Sequence, residues 1–202
     1  MFRSSRTSAT VWVVLLALTA GLSYVLTGPT IPPASAQSEA PAAAAVEFTL
    51  DGKLKQPVGY RKWVHVGTPL TPKELNDGEV SEFHAVYMDP ESFDHYEKTG
   101  KLRDGTVMIK EFVSIGSKEA ASGKGYFMGE FTGLEASIKD SKRFKDEPGN
   151  WAYFNFGKYP LKAESSKEAV DSCNSCHQDN AKTDWVFSQY YPVLRAAAPR
   201  SK

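Results

Sequence analysis

The chain has 202 residues, with 24 Lys+Arg against 24 Asp+Glu, two cysteines and four histidines. Zero net charge without a basic block argues against nucleic acid as the main partner, because phosphate binding needs clustered cationic charge. A composition 41% hydrophobic and 12% aromatic is too apolar for a disordered chain, and two cysteines are too few to staple a mini-protein.

The chain opens with Arg3 and Arg6 and no acid, followed by an apolar run from Val11 to about Leu26 and the triplet Ala34-Ser35-Ala36. A positive start, an apolar middle and a small-x-small end predict a signal peptide over 1–36, cleaved after Ala36. The alternative is an uncleaved anchor helix, for which the run is slightly short of the roughly 20 residues of a span. Cleavage removes Arg3 and Arg6 from the 24 basic residues, leaving 22 against 24 acids and a net charge of about −2. No later stretch is apolar enough to cross a bilayer, so the expected product is exported, soluble and free of a membrane anchor. Residues 37–45 (QSEAPAAAA) read as a flexible lead-in, with few groups able to join a core. One domain over 46–202 remains, long enough for a real core.

Within it, Phe83–Met88, Thr106–Ile115, Tyr126–Phe131 and Trp151–Phe156 carry alternating, β-branched or aromatic residues. Asp104-Gly105, Gly123 with Gly125, and Pro148-Gly149-Asn150 separate them as turns. They predict strands of one antiparallel sheet, with a fifth at Arg61–Val66. Asp89-Pro90 predicts a helix start and Gly100 its stop. Leu134–Phe144 is a further candidate helix. Ser165-x-x-Glu168 has capping-box spacing and predicts a helix opening toward Cys173. Lys182–Tyr191 is expected as a last helix, ending before Pro192. The fold class is α+β: mainly antiparallel β-sheet with packed helices, the C-terminal ones carrying the cysteines.

Cys173-Asn174-Ser175-Cys176-His177 is C-x-x-C-H, the attachment signature of c-type haem. Each thiol adds to one vinyl group, and the three-residue spacing sets both sulfurs over one edge of the macrocycle. His177 then follows as the proximal iron ligand. A bare C-x-x-C in an oxidising compartment could instead be a disulfide or a redox dithiol. A zinc site would want a second ligand pair, and none exists. One motif implies one haem c. The opposite axial position is open to Met88, Met108, Met128, His65, His84 or His95, none of which stands in a local pattern that marks a ligand. A closed position makes an electron carrier, and an open one suits chemistry or binding of a small molecule.

The runs YRKWVHVGTPLTPKELNDG, VYMDPESFDHYEKTGKLRDGTVMIKE, GYFMGEFTGLEASIKDSKRF, EPGNWAYFNF and CNSCHQDNAKTDWVF resemble the cytochrome P460 family of periplasmic haem c enzymes, over about Tyr60 to Leu194. The resemblance implies a homodimer in the periplasm that oxidises hydroxylamine through an iron nitrosyl to nitrous oxide or nitrite, passing electrons to an external acceptor such as a c-type cytochrome. Hydroxylamine and nitric oxide are its small-molecule ligands. It also implies a second covalent tie to the haem ring from a lysine, which matches Lys110. The related cytochrome c′-β proteins, which bind nitric oxide or carbon monoxide without that tie, are the first alternative. A simple electron-transfer cytochrome c is the second.

Read from the residues alone, Val107, Ile109, Glu111, Val113 and Ile115 share one face of their strand, and Met108, Lys110, Phe112 and Ser114 the other. Lys110 is thus one charge among apolar neighbours, which by itself suits a side chain snorkelling to solvent. The functional reading needs burial to disfavour the ammonium and free the lone pair. The resemblance matches Glu135 to a distal-pocket carboxylate position that some family members use as a proton acceptor. Alone it reads as a first-turn helix carboxylate. His84 stands where the family can place an arginine, as a weaker and titratable cation. Phe83, Phe112, Phe127 and Met128 are expected as wall or core residues.

Overall fold

The computed structural model describes residues 45–75 and 81–199; the expected signal peptide and residues 37–44 of the lead-in lie outside the described residues. The strands run as β1 (Leu54–Lys55), β2 (Val64–Gly67), β3 (Leu70–Thr71), β4 (Glu82–Met88), β5 (Val107–Ile115), β6 (Glu119–Ala120), β7 (Gly123–Lys124), β8 (Met128–Lys139), β9 (Trp151–Lys158) and β10 (Glu164–Ser165). The helices are α1 (Pro90–Thr99), α2 (Val170–Asn180) and α3 (Pro192–Ala197). The main sheet has the order β2-β4-β5-β8-β9, all pairs antiparallel, and β3 also pairs with β4. This is the expected α+β class, with the C-terminal helices on one face of the sheet.

Period-two alternation gives the sheet two buried faces, because successive side chains point to opposite sides. One face carries Val107, Ile109, Leu134, Ala136, Ile138, Phe154 and Phe156, which pack with Leu54, Tyr60 and Phe144. The other carries Val86, Met88, Met108, Trp151 and Tyr153, covered by Tyr96, Leu102, Val186 and Leu194. Phe156, Trp151 and Leu134 are fully buried; each such side chain contributes roughly 1.5–3 kcal/mol or more relative to exposure. Helix α1 begins as its sequence indicates. Asp89 accepts from the Ser92 backbone N–H, Pro90 takes the first position, and Gly100 closes the helix in the left-handed region.

Four expected elements differ. Leu134–Phe144 is not a helix: 134–139 completes β8, which runs on unbroken from Met128. Leu134 and Ile138 are four apart and fit either period, but Ala136 between them is buried with them while Glu135, Ser137 and Lys139 face away. That is strand alternation, secured by partners on both sides, β5 and β9. Ser165 does not cap a helix; it lies in β10, where its Oγ donates to the Asn155 carbonyl and accepts from the Asn155 N–H, and α2 starts only at Val170. Lys182–Tyr191 is a bridged turn followed by a 3-10 turn at Ser188–Tyr190, and Pro192 starts α3 rather than ending a helix. Proline suits that first position, since its missing N–H has no intrahelical partner there. Of Arg61–Val66, only the second half is strand, because Tyr60–Lys62 forms a 3-10 turn.

Candidate functional site

The antiparallel register sets functional side chains in rows across one face of the sheet. Val86 pairs with Lys110, Lys110 with Glu135, and Glu135 with Asn155. The next row is Met88–Met108–Ser137–Tyr153. All of these except Met88 line a cavity of about 450 Å³ between the sheet and the C-terminal segment. Cys173, Cys176 and His177 of α2 line its opposite side, with Trp185, Phe187 and Tyr191. Five residues from three distant parts of the sequence thus meet here: Lys110 and Glu135 from the sheet, and Cys173, Cys176 and His177 from the C-x-x-C-H helix opposite them.

Cys173, Cys176 and His177 share one side of α2 because they are three and four residues apart. The buried Asn174 side chain donates to the Trp151 carbonyl at 2.9 Å and pins this turn of the helix to β9. No disulfide joins the two thiols. The His177 ring packs between Tyr153 and Phe187, each 4.6 Å away between ring centres. Its Nδ1 lies 2.7 Å from the Trp185 carbonyl oxygen. A carbonyl only accepts, so Nδ1 carries the proton and donates, and the neutral ring presents the Nε2 lone pair. Burial, helped by the Lys110 charge, holds His177 below the usual histidine value against the opposing pull of that hydrogen bond. The neutral ring that results is the metal-ligating form.

Lys110 Nζ is 2.6 Å from Glu135 Oε2, and the two side chains keep 36% and 33% of their surface exposed. The ammonium also sits 4.7 Å from the centre of the Phe112 ring. Both charges therefore meet at a partly solvated mouth of the cavity, and the burial expected of Lys110 is not found. His84 is one row away, paired with Phe112, and does not line the cavity. Its ring packs edge-on against Phe112, and Nε2 is 3.3 Å from Glu82. Burial, then the Lys110 charge, pushes its pKa down, while Glu82 pulls the other way. Phe83, Phe112, Phe127 and Met128 do not line the cavity either, and Met128 is 52% exposed. Of the six side chains named for the second axial position, only Met108 lines the cavity.

Several residues at the site carry no sequence signal. Thr183–Val186 closes a four-residue turn through backbone bonds in both directions. Its central residues, Asp184 and Trp185, have φ of 44° and 60°. Positive φ at both central positions is what a type I′ turn requires, and Asn-Gly usually supplies it. A tryptophan there costs on the order of 1–3 kcal/mol and persists only where the surroundings hold it. Asp184 is bound by Lys139 at the end of β8 and accepts from Trp151 Nε1 at 3.4 Å. Gly149, at φ 61°, leaves room for the indole: a Cβ there would lie 2.6 Å from Trp185 Cε3.

The donor set fits a haem. Two unpaired thiols and an imidazole with its tautomer already set line one cavity, and the buried hydroxyl of Tyr153 and the buried Nε1 of Trp185 have no protein partner. Among the described residues no cluster of three His, Cys, Asp or Glu could hold a bare metal ion. The Cytochrome P460 family model matches residues 57–188, a span that includes Lys110, Glu135, Cys173, Cys176 and His177. No curated protein matches the chain. A match over most of the chain, on the residues that the fold gathers around one cavity, shows that this protein belongs to the cytochrome P460 family of haem enzymes.

Proposed function

We propose that the protein is an exported, periplasmic mono-haem c oxidoreductase that oxidises hydroxylamine to nitrous oxide or nitrite, with Lys110 joined to the haem ring. The observation that supports it most is the Lys110–Glu135 pair, 2.6 Å apart, on the sheet wall facing the C-x-x-C-H helix. A gas-binding relative would need neither residue there.

The haem supplies, when bound, the redox centre and an iron for the substrate nitrogen. Cys173 and Cys176 would hold the macrocycle as thioethers, and His177 Nε2 would ligate its iron. Lys110 would supply the further tie to the ring. Oxidising hydroxylamine releases protons with its electrons, and Glu135 Oε2 accepts one of them, as a carboxylate within reach of the cavity. The half-open mouth passes small polar molecules, and Tyr153, Phe187 and Val186 keep the inner wall apolar. Electrons leave to an external acceptor, a c-type cytochrome. The chain works as a homodimer. The Met128–Phe131 stretch supports this reading, since β9 pairs with β8 only from Gly133 onward and Met128 and Phe131 are exposed. Free strand edges with apolar side chains invite pairing.

Tryptic peptide mass analysis of the holoprotein tests the assignment. The Lys110 peptide is expected to travel with the haem and the Cys173–Cys176 peptide. A free Lys110 peptide beside a haem-bearing Cys173–Cys176 peptide overturns the cross-linked enzyme in favour of a gas-binding protein. A low-spin, six-coordinate resting spectrum points instead to an electron carrier, for which Met108 is the named candidate that lines the cavity.

A further inference from the structure

Resting on the reading of His177 as the iron ligand, we propose that Lys139 and Asp184 form a clamp that positions the His177 imidazole and sets the redox balance of the haem. The clamp acts through the turn between them. Lys139 ends β8 on the same strand face as Glu135, and pairs in register with Trp151 of β9. Both reach Asp184: the Lys139 ammonium binds Oδ2, and Trp151 Nε1 donates to Oδ1. The ion pair is partly buried, with 18% and 27% of the side chains exposed, so it is less screened than a surface pair. It fixes a turn that would otherwise relax, because Asp184 and Trp185 both hold positive φ. The turn's product is one atom in one place: the Trp185 carbonyl oxygen, 2.7 Å from His177 Nδ1.

That bond is the lever. A ligating histidine that donates from its other nitrogen is oriented by the acceptor and becomes a more basic ligand. A more basic axial ligand favours the ferric state. Lys139 and Asp184 touch neither the haem-bearing residues nor the Lys110–Glu135 pair, so they are positioning residues. One strand, β8, therefore carries both controls of the site: Glu135 facing the cavity mouth, and Lys139 holding the proximal turn.

The test uses the holoprotein with Lys139→Met, Asp184→Asn and Lys139→Arg. Asn tolerates the left-handed region and keeps an acceptor for Trp151, so the Asp184→Asn chain folds while losing the charge pair. Expected in Lys139→Met and Asp184→Asn is a rise in midpoint potential of about 59 mV, a tenfold shift of the one-electron ferric–ferrous equilibrium. The iron–imidazole stretch of the ferrous protein moves to lower frequency, and Lys139→Arg restores both values. The Lys110 peptide stays joined to the haem throughout. A potential and stretch identical to the wild type in both charge-loss variants overturn the clamp while leaving the proposed function standing. A wild type with no imidazole on iron overturns the reading of the site first, and the clamp with it.

Discussion

At the scale of single residues, the chemistry rests on pairs rather than on isolated groups. Lys110 was legible as an odd charge on an apolar strand face, but its partner was not. Lys110 and Glu135 are 25 positions apart and meet only because β5 and β8 set them directly opposite each other. Glu135 read as a helix residue by its local sequence; pairing, not propensity, turned it toward the cavity. In the proposed function Glu135 would accept a proton without holding the substrate. Glu135→Ala is expected to slow hydroxylamine turnover by about 10²–10⁴-fold, the usual worth of a positioned general base, while the substrate-binding titration stays near the wild-type value. Unchanged turnover would remove Glu135 from the mechanism. His84 shows the converse. It was a candidate from its position in the family pattern, yet it stands one row from the cavity and answers to Glu82 and Phe112. Its influence on the site runs through its neighbour Phe112 and the Lys110 charge.

At the scale of elements, the helix with plain punctuation formed where the sequence put it. Asp89 explains why α1 is so well defined. The buried carboxylate caps the helix at Ser92, accepts from the Val107 N–H at the start of β5, and pairs with Arg103. One side chain thus ties the helix start to the central strand of the sheet. Losing it removes a cap worth about 0.5–2 kcal/mol and leaves a buried N–H unpaired at about 1–3 kcal/mol. Asp89→Ala is expected to lower unfolding free energy by roughly 1.5–5 kcal/mol in denaturant titration. A loss under 1 kcal/mol would mean that water replaces the carboxylate. Two of the four elements that sequence alone missed share one cause. Leu134–Lys139 and Lys182–Tyr191 have local patterns that suit a helix as well as their true forms, and distant partners decide. β5 and β9 flank the first. Lys139 and Trp151 hold the second in a turn that a Thr-Asp-Trp-Val sequence does not advertise.

At the scale of the molecule, the sheet has a cofactor side and a structural side. On the structural side the fully buried Glu111 binds Tyr60 at 2.6 Å and is paired with Arg61. It anchors the segment before β2 to the strand that bears Lys110. Arg61 in turn lies over the Phe131 ring, 4.1 Å from its centre, beside Tyr159. This exposed group adjoins the free edge of β8 and marks the face on which a second copy would dock. Phe131→Glu is expected to convert the proposed dimer to a monomer in light scattering, with the haem spectrum unchanged. A dimer that persists in the variant places the interface elsewhere.

The sequence by itself determined the α+β class, the family, and the candidate haem-attachment motif, because those signals are local: alternation, a helix cap, and five consecutive residues of C-x-x-C-H. It also marked Lys110 as anomalous within its own strand. Only the tertiary structure decided what those residues face. Strand register put Glu135 against Lys110, and packing left His84 outside the cavity. A turn held at positive φ by Lys139 supplied the carbonyl that orients His177. The physical reason is the same in each case. A strained turn or a facing charge pair is stabilised by partners tens of residues away, and nothing in the local sequence carries their energy.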